Sequence, residues 1–104
     1  MPWFLISVAG LLEVVWALAM KQSQGFTRIG PTAIMVVGMI GSFWLLALAM
    51  RSLPLGTAYT VWTGIGAVGG FLVGITILGE PVTPLRLLAA GLIVAGIVTM
   101  KLAS

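Results

Sequence analysis

Four long, almost charge-free runs dominate this chain of 104 residues and limit what it can become. They extend over about residues 2–20, 31–50, 54–78 and 84–101, each near the about 20 residues a helix needs to cross a hydrocarbon core about 30 Å thick. In lipid a backbone must satisfy its own polar groups, which leaves helices or closed barrels. Barrel strands would be short and alternating in polarity, unlike these unbroken apolar runs. The expected fold class is therefore an all-α integral membrane protein, with four transmembrane helices in a single domain over residues 1–104. Three short connections join the spans: KQSQGFTRIG, RSL and GEPVT. Gly25 is placed to stop the first helix, and Pro31 sits where a first helical turn accepts proline. Pro54, Pro81 and Pro84 punctuate the later starts.

Composition removes most other functions. Hydrophobic residues make up 61% and charged residues 7%, where a soluble domain carries about 25% charged. Cysteine and histidine are absent, so disulfides and the usual thiolate and imidazole metal ligands are excluded. The basic residues are isolated, which leaves no electrostatic footprint for nucleic acid. The N-terminal apolar run has no Lys or Arg before it, contains Glu13 and is followed by no A-x-A-like cleavage site, so it reads as a retained span. Lys21, Arg86 and Lys101 lie at span ends as anchors, and Glu80 reads as a loop residue. The chain is read as no enzyme, with no cofactor and no metal.

Four spans place both termini and the second connection on one side, with Arg51 and Lys101, and leave Lys21, Arg28 and Arg86 on the other. Two basic residues against three is a weak bias under the positive-inside rule, so insertion in both orientations is expected. Four short helices enclose little volume. Transporters commonly build a midplane site between inverted repeats, and two oppositely inserted copies would supply them as an antiparallel homodimer. Small residues offer packing surfaces: Gly66, Gly70 and Gly74 in the third span, and Gly91, Ala95 and Gly96 in the fourth. Such stripes serve a dimer or the packing of helices within one chain.

Glu13 is the outlier. At about 1.5 Å per residue it lies about 16 Å into the first span, near the midplane. Ser42 reaches a similar depth from the opposite side, and Trp62 about 12 Å from the same side as Glu13. Helical spacing assigns Gly10, Glu13 and Trp16 to one face, and Tyr59, Trp62 and Gly66 to another. Ser42 could equally satisfy itself on a backbone carbonyl. An unpaired carboxylate at that depth is costly enough to mark a functional site. A proton or a cation each remove the cost, and mutually exclusive occupancy couples the two fluxes. A site that opens alternately to either side would then perform proton-driven antiport. Gly64 and Gly66, in WTGIGAVGG, are candidate hinge positions. A passive channel, or a structural subunit in which Glu13 matches a partner's cation, stays open as a reading of another class.

Across GLLEVVWALAMKQSQGFTRIGP, SFWLLALAM, LPLGTAYTVWTGIGAVGG and GLIVAGIV the chain resembles the small multidrug resistance family of bacterial inner-membrane transporters. EVVWA around Glu13 and WTGIGAVG after Tyr59 look like its guanidinium-exporter subtype. The resemblance implies a dual-topology homodimer in the bacterial inner membrane that exchanges protons for guanidinium at Glu13, with Gly10, Trp16, Ser42, Tyr59 and Trp62 lining the site. Guanidinium is planar, permanently charged and able to donate paired hydrogen bonds to a carboxylate. The resemblance also implies that Trp16 narrows the site against large aromatic cations. Export of small quaternary ammonium compounds is the alternative.

Overall fold

The structure, a computed structural model, describes residues 2–103. Its four helices are α1 (Pro2–Gln22), α2 (Ile29–Ala49), α3 (Leu55–Thr76) and α4 (Pro84–Leu102). No helix end departs from the expected span by more than two residues. Each helix is long and apolar enough to cross a membrane.

Local chemistry explains where the helices stop. Beyond α1 the backbone is left-handed at Gln24, Gly25 and Phe26 in succession, with φ of 51°, 73° and 69°. Only glycine adopts that conformation without a steric cost, so the turn depends on more than the expected Gly25. Ser23 ties it down: its hydroxyl donates to the Met20 carbonyl at 2.7 Å and accepts from the Phe26 N–H at 3.1 Å. At the start of α4 the Thr83 hydroxyl accepts from the Arg86 N–H at 3.1 Å, and Pro84 occupies the first turn, where a missing N–H leaves no bond unmade.

α1 packs against both α2 and α3, whereas the backbone of α4 neighbours α3 alone. The result is a slab of 41 × 35 × 16 Å. Helix Cα atoms lie about 2.3 Å from the axis and packed axes stand about 8–10 Å apart, so the slab is about two helices thick and encloses little by itself. The apolar core lies in the half nearer the N-terminus, where Ile6 and Ala9 of α1 meet Leu46 and Ala49 of α2 and Ala58, Val61 and Trp62 of α3. No residue of α4 is buried. Beyond that core, α1 and α3 approach over glycines: a Cβ at Gly69 would run into Val14, and one at Gly66 into the Glu13 carboxyl. The half-buried middle of α1 is thereby set directly against α3.

Candidate functional site

Glu13 sits on the face of α1 turned to α3, and its carboxyl occupies the notch left by the missing side chain of Gly66. Its Oε1 is buried without a hydrogen-bond partner among the described residues, and the same holds for Nε1 of Trp16. Buried polar atoms are nearly always paired, because leaving one unpaired costs about 1–3 kcal/mol. Two such atoms, three residues apart on α1, mark the polar defect of this structure.

A second polar connection lies beside it and is complete. Ser42 is fully buried; its hydroxyl donates to the Ala9 carbonyl at 2.7 Å and accepts from Trp62 Nε1 at 3.0 Å. One hydroxyl thus joins α1, α2 and α3 beside Glu13. The backbone-carbonyl fate open to a membrane serine is realised here, but only as half of the group's work. Ser42 and Trp62 share a layer with Glu13 and do not bond to it.

Aromatic rings line that layer in sequence. Tyr59 and Trp62 have centroids 5.6 Å apart, Trp62 and Phe43 5.7 Å, and Phe43 and Trp16 6.2 Å in an edge-on arrangement. Tyr59 and Phe43 are 53% and 46% exposed while Trp62 between them is buried, so the row stands at the open surface of the slab and is anchored in its interior by Trp62. Phe43 closes the row between α1 and α3, a role the sequence reading missed. Its only signal was its place next to Ser42. Trp44, next in sequence, is 66% exposed and takes no part in the row.

Steric neighbours show what the remaining candidate positions do within this chain. Gly10 leaves no space for a ligand, because a Cβ there would meet Ile65 at 2.6 Å; it permits the crossing of α1 and α3. Trp16 leaves the Glu13 face for α2, where its Cβ would lie 3.2 Å from a Cβ at Gly38. The reason is angular: six residues at about 100° each end roughly 120° away from the starting face. Gly66 and Gly74 are buried and face groups of this same chain, Glu13 and Glu80, which makes them intramolecular seats. Gly64 packs likewise on Ile97 and Ile93 of α4.

The sequence profile of the Small Multidrug Resistance protein family matches residues 1–93. The chain belongs to that family. Among similar proteins, a guanidinium exporter of Citrobacter freundii is 56% identical over 104 residues, which cover 100% of this chain and 99% of the relative. One from Yersinia pseudotuberculosis is 56% identical over 100% of both chains, and a guanidinium exporter from a Salmonella typhimurium strain is 53% identical over 100% of this chain and 99% of the relative. With four membrane-crossing helices, this Small Multidrug Resistance protein is a multi-pass protein of the inner membrane. Its relatives are named as exporters, not as enzymes.

Proposed function

We propose that this chain exports guanidinium in exchange for protons, with Glu13 holding one or the other in turn. The observation that carries the reading is the buried, unpartnered carboxyl oxygen of Glu13 against Gly66. A carboxylate needs either a proton or a cation at that depth, and guanidinium supplies charge, planarity and paired donors. The row Tyr59, Trp62, Phe43 and Trp16 offers ring faces to such a cation and limits its size. Trp62 is held for that task by Ser42. The identity to named guanidinium exporters supports the same cargo.

The working unit is an antiparallel pair in which each chain contributes its four spans as one domain. A slab 16 Å thick supports this, since a second copy is needed to cover the Glu13 layer from the open side. So does α4, which carries Gly91, Ala95 and Gly96 on a helix with no buried residue; Gly91 and Gly96 have nothing within 4 Å of where a Cβ would stand. Alternating access then uses bending of α3 near Gly64 and Gly66, which are seated on different neighbours, α4 and α1. The test is transport by purified protein in liposomes. Guanidinium currents whose reversal potential shifts with an imposed pH gradient are expected. Currents insensitive to both pH and Glu13→Gln would mean a channel, and a strong preference for large aromatic cations would overturn the cargo.

A further inference from the structure

The chain already binds one guanidinium group, its own. Arg86, in the first turn of α4, reaches back over the loop that leads into its helix. Its head group donates to Glu80 Oε1 at 3.4 Å and to the Pro81 carbonyl, and lies 5.1 Å from the centroid of the Phe71 ring. A carboxylate, a neutral acceptor and an aromatic face are the three features that together recognise a planar cation with several N–H donors.

The place of this cluster gives it meaning. Glu80 lines a cavity of about 170 Å³ between α1 and α3, together with Val14, Lys21, Gly70 and Gly74. A Cβ at Gly74 would meet the Glu80 carboxyl at 2.5 Å, so the glycine is what lets that side chain lie against α3. Gly74 stands about 12 Å along α3 from Gly66, the seat of Glu13. Between them Gly70 has nothing within 4 Å of where a Cβ would be. The chain's second carboxylate therefore stands at the outer end of the α1–α3 cavity, in line with the first.

We infer that Glu80, the Pro81 carbonyl and the Phe71 ring form a peripheral guanidinium site beside this mouth, where Phe71 and Arg86 line the neighbouring groove between α3 and α4; the Arg86 head group fills it, and free guanidinium competes for it. The inference rests on guanidinium being the cargo. Exchange is easy because the ion pair is open to water, with side chains 35% and 42% exposed, and such pairs hold weakly. Displacement frees the loop from α4 and leaves a cation beside the outer end of the cavity.

The test measures guanidinium binding calorimetrically to the full chain in lipid nanodiscs, with Glu13→Gln throughout so that the central site is silent. Removing a tethered competitor raises apparent affinity, so adding Arg86→Ala is expected to tighten guanidinium binding by about tenfold or more. Adding Glu80→Gln as well should abolish it, and tetramethylammonium should show no such gain. Equal binding by all three variants, with helical circular dichroism intact, would overturn the inference. If Arg86→Ala loses its helices, Arg86→Gln carries the same expectation. Transport by the wild-type chain is read separately: its failure sinks the cargo assignment, whereas intact transport without the Arg86-dependent gain sinks only the peripheral site.

Discussion

The two acidic residues of this chain, Glu13 and Glu80, are placed alike and treated differently. Each lays its carboxyl against a glycine of α3, Gly66 for the first and Gly74 for the second. Glu80, at the end of the span, is met by Arg86 from its own chain. Glu13, in mid-span, is met by no hydrogen-bond donor or cation among the described residues and keeps a buried oxygen unpaired. The contrast separates an acid that holds a loop from one left ready for a partner that comes and goes. A permanent cation beside Glu13 would have removed the defect and, with it, the possibility of exchange.

The largest expected effect breaks this comparison at its unpaired end. Glu13→Gln keeps the shape and removes the charge, so guanidinium flux in liposomes should fall by about a hundredfold or more, the scale of losing one partner of a buried charge pair. Helical content should be unchanged. Flux retained within a fewfold would mean that the cation is carried elsewhere and that the bare oxygen has no transport role.

A second pair of variants asks whether the two glycine seats are equivalent. At Gly66 an added methyl overlaps a carboxyl whose Oε1 is already buried against α3, and overpacking of that kind costs about 1–3 kcal/mol. Gly66→Ala is therefore expected to lower flux by about tenfold. Gly74→Ala meets a carboxyl at the water edge that can swing away, and the change should stay within about threefold. Equal losses at both positions would show that the glycines serve helix packing in general and not their particular glutamates.

Much of this arrangement could be read from the sequence, and the limits follow a physical line. The spans were legible because hydrocarbon thickness fixes helix length, and the depth of Glu13 followed from counting along one helix. Depth alone put Ser42 and Trp62 in a common layer, and their hydrogen bond agrees with it. Which face meets which neighbour was not legible. Trp16 turned to Gly38 and Gly10 to Ile65 because rotation and register between helices are set by packing, which a periodicity within one helix does not encode. Phe43 was missed for the same reason. Its function as a link between Trp16 and Trp62 exists only once three helices converge. Arg86 and Glu80 were legible as an anchor and a loop residue, yet their pairing through the Pro81 turn needed coordinates.

Ser42→Ala gives a smaller effect and sharpens the line between holding and exchanging. It strands Trp62 Nε1 in a buried position and frees the Ala9 carbonyl, so stability toward denaturant in detergent should fall by about 1 kcal/mol. If Ser42 acts only by holding Trp62, guanidinium should show a raised KM with little change in maximal flux, since a loosened ring weakens binding without touching the carboxylate. A collapse of flux comparable to that of Glu13→Gln would instead place the hydroxyl on the cation itself.

The smallest expected effect lies at the paired acid. Glu80→Gln removes an ion pair whose two side chains remain 35% and 42% exposed, and pairs so wetted contribute about 0–1 kcal/mol. Denaturant stability should therefore change by less than about 1 kcal/mol, and the difference should shrink further at high salt, where screening already weakens the contact. A loss as large as that from Ser42→Ala, and insensitive to salt, would show Glu80 to be a structural fixture of the α3–α4 corner. The two glutamates would then differ in depth but not in kind, and the idea that Arg86 can be displaced from its carboxylate would lose its physical basis.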